Sequence, residues 1–209
     1  MLSEVGFGAL LVYSPRGQAP LSKRSRDICY SLKAGEPKIL GQAADRLRQI
    51  VDQQHPLSTL FSGIETLVPM PRSAPLLPGA LWPAERIAHA LVSRGLAAGV
   101  SPALERLQAV PKSAVAAPGQ RPSVQQHYDS LWARALTDVT NRIVIVDDVL
   151  TKGATALAAA SRLAETYPHA RIAVYATIRT TGLVPDVDTL LEPVMGTVRL
   201  VGEEAHREP

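Results

Sequence analysis

A chain of 209 residues is long enough to bury a substantial core and reads most simply as one domain with appendages. Its 46% hydrophobic and 20% charged residues are the balance of a soluble globular protein and exclude disorder over the whole length. The formal net charge of +3 and the pI near 9.2 suit a polyphosphate ligand, and they equally suit nucleic acid.

Cys29 is the only cysteine, so there is neither an intrachain disulfide nor a cysteine zinc site, and the expected location is cytoplasmic. No basic segment precedes an apolar run at the start, and Glu4 interrupts the first residues, so no secretory signal is expected. No stretch is long and apolar enough to span a bilayer, and no membrane partner is expected.

In chain order, Val5 to Tyr13 is an apolar strand, followed by the turn Ser14-Pro15-Arg16-Gly17 and the cations Lys23, Arg24 and Arg26. A second strand from Asp27 to Leu32 would close a hairpin with a positively charged tip. That tip is either a solvated surface or a contact for phosphate backbones. The fragment Gly6-Phe7-Gly8 lacks the third glycine of a dinucleotide fingerprint and is set aside.

Pro37 opens a helix with Ile39, Ala43, Leu47, Ile50 and Val51 at helical spacing, which His55-Pro56 ends. Thr66 to Pro71 is a strand that leaves its sheet at the prolines and runs into Arg72 and Ser73. Pro83 suits the first position of a second helix, whose stripe is Ala84, Ile87, Ala88 and Leu91. Val100 to Leu107 supplies a further strand. Gln108 to Gln126, rich in Pro, Ala, Gly and Ser and carrying Lys112 and Arg121, is too long for a tight connection and reads as a linker or a lid. Tyr128 to Leu136 reads as a short helix with Leu131, Trp132 and Leu136 turned to the core.

The stretch from Arg142 to Thr155 carries the chemistry. The β-branched run Ile143 to Val146 is expected to be a strand buried on both faces, and Asp147 and Asp148 stand at its carboxyl end. Thr151, Lys152 and Gly153 form a small loop, after which the alanine-rich segment from Ala154 is strongly helical. Unpaired amides at a helix start, with the dipole behind them, accept a phosphate. Gly153 allows close backbone approach, Thr151 and Thr155 offer hydroxyls, and Lys152 adds charge. The two acids can then accept hydrogen bonds from sugar hydroxyls or hold a hydrated Mg²⁺. A phosphorylated sugar is the implied ligand.

These residues resemble the signature of the type I phosphoribosyltransferases: four apolar residues, two acids, two apolar residues and a hydroxyl-rich turn with glycine. Lys152 departs from the small hydroxyl residues commoner there. The resemblance implies a parallel-sheet α/β fold with residues 1–65 as an N-terminal hood, 66–201 as the core and 202–209 as a flexible tail. It implies 5-phosphoribosyl-1-pyrophosphate (PRPP) as substrate, with Mg²⁺ and a nucleobase or amine acceptor. Asp147 and Asp148 would be the catalytic pair, touching the metal only through ribose hydroxyls or water, and which of them takes a proton stays open. Thr151, Lys152, Gly153, Ala154 and Thr155 would bind the 5′-phosphate, Arg72 and Ser73 the pyrophosphate, and Lys112 and Arg121 would belong to a loop closing over PRPP. The strand pair with Lys33 points toward the ComF-like branch, although that branch often starts with a cysteine-rich zinc module that Cys29 alone cannot build. A homodimer is one expected assembly.

Arg171 to Ile178 is a further apolar strand, so strand, helix and strand call for a right-handed crossover and a parallel sheet. The tail from Gly182 to Val201 is expected to add small strands, with fraying after Gly202. No Phe, Tyr or Trp follows Tyr175, so a base would have to stack on Phe7, Tyr13, Tyr30 or another N-terminal aromatic. The five histidines show no metal-binding spacing, and each reads as a surface or satisfied side chain. A second reading keeps the PRPP pocket without catalysis, for sensing nucleotides or for DNA uptake, with Arg16, Lys23, Arg24 and Arg26 on the nucleic acid.

Overall fold

The computed structural model describes residues 1–111, 121–182 and 186–209. Strand β6 (Arg142–Leu150) is an interior strand of a seven-stranded mixed sheet, as its unbroken run of buried Ile143, Val144, Ile145 and Val146 requires. The order is β3 (Gly99–Val100), β2 (Thr66–Pro69), β6, β7 (Arg171–Thr180), β1 (Glu4–Tyr13), β8 (Leu191–Val201) and β9 (Glu204–Glu208). From β3 to β1 every neighbouring pair is parallel, while β8 runs antiparallel to β1 and β9 antiparallel to β8.

Helices cover both faces. On one, α1 (Pro20–Ala34), α2 (Pro37–Asp52) and α3 (Pro83–Val92) bury Leu32, Leu40, Leu47, Ile87 and Leu91 against Leu67, Val144, Val146 and Tyr175. On the other, α5 (Ala154–Thr166) buries Leu157, Ala160 and Leu163 against Ile143, Ile145, Val174, Phe7 and Val198. The run of alanines lets α5 lie close to the sheet, since each offers apolar surface with no bulk. Among the described residues no helix is long and apolar enough to cross a membrane.

Several expectations are corrected. Residues Asp27 to Leu32 belong to α1 and do not pair with β1. The buried face of α1 consists of Ser22, Ser25, Cys29 and Leu32, so its stripe has correct helical spacing but little apolar character, which hid it. The first strand therefore has no hairpin partner next in sequence. It sits between β7 and β8, so the N-terminal segment contributes a central strand as well as the helices beside the site. Val100 to Leu107 divides into β3 and β4 (Leu104–Arg106), and β4 leaves the main sheet to pair antiparallel with β5 (Leu131–Ala133).

The short helix α4 (Val124–Ser130) begins before Tyr128, with Ser123 and Gln126 forming a reciprocal cap, and ends where β5 starts. Strand alternation then buries Leu131 and leaves Trp132 half exposed, so Trp132 is not a core residue. The C-terminal tail is not frayed: Glu204 to Glu208 form β9, held by the Arg207 guanidinium donating to the carbonyls of Leu150 and Thr180. Pro193 is tolerated within β8 because β9 pairs only from Thr197 to Val201, leaving that end of β8 as an edge.

Candidate functional site

In the carboxyl-terminal half of β6, which continues past them to Leu150, the two half-buried acids turn back onto the next amides. The Asp148 N–H donates to Asp147 Oδ1 at 2.8 Å, and the Val149 N–H donates to Asp148 Oδ1 at 2.8 Å. Burial, and then the Asp148 charge, hold the Asp147 carboxyl well above the usual carboxylate range. Lys33, in the last turn of α1, brings Nζ to 3.6 Å from Asp148 Oδ2.

The turn that follows has one fixed requirement. Gly153 adopts φ 96°, and a Cβ there would lie 2.6 Å from the methyls of buried Val198. Glycine is thus needed for both the left-handed backbone and the space. No side chain caps α5, so the first-turn amides, beside the hydroxyls of Thr151 and Thr155, are free to meet an anion. Lys152 reaches across to Glu204 Oε2 at 3.0 Å, with both side chains largely in solvent.

Two clefts meet at this place. One, of about 470 Å³, is lined by the turn from Thr151 to Ala156 together with Arg121 and the rim residues Glu203 and Glu204. The other, of about 340 Å³, is lined by Lys33, Arg72, Ser73, Arg106, His127 and Asp148, among others. Asp147, Val149 and Thr155 border both.

Arg106 and His127 were not singled out as site residues from the sequence. Arg106 is buried, donates through Nε to the Arg72 carbonyl at 3.0 Å, and donates to Ser130 Oγ. Burial lowers its pKa to about 10, with Asp147 opposing that shift, so it stays charged at neutral pH. Among the described residues no carboxylate forms an ion pair with it. His127 is buried on α4 with Nε2 3.2 Å from Thr155 Oγ1. The available signal was an arginine between Leu104 and Leu107 in a short strand candidate, and a histidine one residue past the Ser123–Gln126 cap.

Of the residues expected to bind pyrophosphate, Arg72 is exposed, donates to the Leu81 carbonyl at 3.1 Å, and shares its cleft with Ser73. Arg121 lines the cleft of the Thr151 to Ala156 turn, and Lys112 lies outside the described residues. Phe7 is fully buried under the Arg207 guanidinium, 5.9 Å from its ring centre, so it offers no face to a base. Tyr30 is exposed on α1, and Tyr13 is half-buried at the end of β1.

A Mg²⁺ in this cleft would meet the two acids. Three of their four oxygens have the partners named above, two amides and Lys33, and among the described residues no group of three His, Cys, Asp or Glu side chains can hold a metal. A Mg²⁺ here would therefore also need oxygens from water or from a ligand, the usual way in which one or two carboxylates hold it. No protein-family model and no curated protein matches this sequence.

Burial, and then the Arg106 charge, push the His127 pKa down to about 4, so its neutral form is the folded one. The unfolded chain takes up this proton near pH 6.5 and the folded chain only near 4, so His127 supports the fold fully above pH 6.5 and loses that contribution on the way down to 4. Raised Asp147 acts with the opposite sign, so the comparison must isolate the histidine. Urea unfolding at pH 7 and pH 4 should show wild type losing about 3 kcal/mol more than His127→Gln. Equal losses in the two proteins would refute the assignment.

Proposed function

We propose that this chain is a phosphoribosyltransferase of the type I fold, which binds PRPP and transfers its phosphoribosyl group to a nitrogen nucleophile. The observation that carries the reading is the meeting of the two clefts at Asp147, with an anion-binding turn on one side and buried Arg106 with Arg72 on the other. A ribose across that junction has its 5′-phosphate at Thr151 to Thr155 and its pyrophosphate toward Arg72, Ser73 and Arg106. The parallel order of β3, β2, β6 and β7 supports the same reading, because ligands of such sheets bind at the carboxyl ends of the strands.

In this reading the C1–O bond to pyrophosphate breaks as the acceptor nitrogen forms its bond to C1. The carboxylates of Asp147 and Asp148 stabilise the positive charge that develops on the ribose, and Arg72 and Arg106 stabilise the departing pyrophosphate. One of the two acids takes the proton that the nucleophile loses. A Mg²⁺ carried by the substrate would offset the charge of the leaving pyrophosphate, with Asp147 and Asp148 reaching it only through ribose hydroxyls or water. The second reading, on nucleic acid, has less to stand on than the sequence offered, because Arg26 donates to the carbonyls of Ser14 and Gly17 and leaves three of the four cations.

Calorimetry with PRPP, followed by a pyrophosphate-release assay across nucleobases and amines, tests the proposal. PRPP binding and release with at least one acceptor are expected. Absence of PRPP binding would overturn it, and binding without release would favour the sensing role. Salt-sensitive, tight DNA binding that is lost when Arg16, Lys23 and Arg24 are neutralised would favour the nucleic-acid role.

A further inference from the structure

We propose that Lys33 supplies, at the acid pair, the positive charge otherwise expected of a divalent cation, so that this end of the cleft takes up ribose 5-phosphate without Mg²⁺. The inference rests on the phosphoribosyl reading of the cleft.

The position of Lys33 is built into the fold. It is the next-to-last residue of α1, which stops at Gly35 with φ 70°, where the Gly35 and Glu36 amides donate to the Leu32 and Ser31 carbonyls. Leu32 is fully buried beside it, and Arg86 donates from Nη1 to the Gly35 carbonyl at 3.3 Å, so this helix end is anchored from within and from α3. A cation in the last helical turn also meets the negative end of the helix dipole.

The ammonium projects from this anchor into the cleft of Arg72, Arg106 and Asp147, 3.6 Å from Asp148 Oδ2. Its side chain is 47% exposed, so it is not locked into one ion pair and keeps donors for a ligand hydroxyl. Burial lowers its proton affinity, but Asp148, Cys29 and Asp147 outweigh that, leaving it charged at neutral pH. Oδ1 of each acid accepts a backbone amide and Asp148 Oδ2 faces Lys33, so the ammonium stands where a cation beside the pair would.

Ribose 5-phosphate is the probe, because it lacks the pyrophosphate that would bring Mg²⁺ with it. Wild-type affinity by calorimetry should be the same in EDTA and in millimolar Mg²⁺. Lys33→Met should bind about tenfold more weakly in EDTA, the scale of one charge-assisted hydrogen bond, and recover part of that loss with Mg²⁺. Lys33→Arg should stay near wild type in EDTA. Wild-type binding that disappears in EDTA, or Lys33→Met binding as tightly as wild type there, overturns the inference while the phosphoribosyl reading survives. No binding by wild type in either buffer overturns both.

Discussion

Gly153→Ala is expected to lower stability by about 2–4 kcal/mol and to abolish measurable binding of ribose 5-phosphate. Two costs combine. The backbone at φ 96° is strained for any residue with a Cβ, and that Cβ would sit 2.6 Å from both methyls of Val198. Valine cannot swing a flexible end away, and Val198 is fully buried in β8, so either the strand or the turn must shift. A shift of the turn moves the amides of Ala154 and Thr155 that the ligand phosphate would meet. Urea unfolding and calorimetry measure the two effects separately. Adding Val198→Ala removes the steric part and leaves the φ part, so the double variant should lose less than the sum of the single losses. Simple additivity would show that the Val198 contact does not limit the turn.

The second large effect is at the acids. Asp147→Asn with Asp148→Asn is expected to weaken binding of ribose 5-phosphate and PRPP by about a hundredfold or more, since two charge-assisted hydrogen bonds to the sugar are lost. Stability at pH 7 should not fall. Asp147 carries a proton affinity raised by burial and by its neighbour, so its ionised form opposes folding as pH rises above the ordinary carboxylate range, and the amide removes that opposition. The Lys33–Asp148 contact is lost as well, but at 3.6 Å with Lys33 half in solvent it contributes little. A melting temperature equal to or above wild type, together with lost binding, is the expected pair of results. Unchanged PRPP affinity would refute the assignment of the acids to the sugar.

The sequence alone determined the elements that depend on neighbours along the chain. An unbroken β-branched run gives β6, a glycine between hydroxyls and an alanine-rich stretch gives the turn and α5, and proline followed by spaced aliphatics gives α2 and α3. The acids and the turn were legible for the same reason, since all lie within the stretch from Asp147 to Thr155. Tertiary structure decided what depends on residues far apart in sequence. The place of β1 between β7 and β8 follows from pairings such as Phe7 with Val174 and with Gly196, which no local pattern encodes. Helix α1 forms on a face of two serines, one cysteine and Leu32 because the sheet beside it supplies the apolar surface that its own stripe lacks. Lys33, Arg106 and His127 look like ordinary polar residues of a helix, a strand and a helix until the fold brings them to one cleft. Burial sets the proton affinities of Arg106 and His127, while Asp148 and Asp147 raise that of Lys33 against its burial, and both causes belong to the folded neighbourhood and not to the residue.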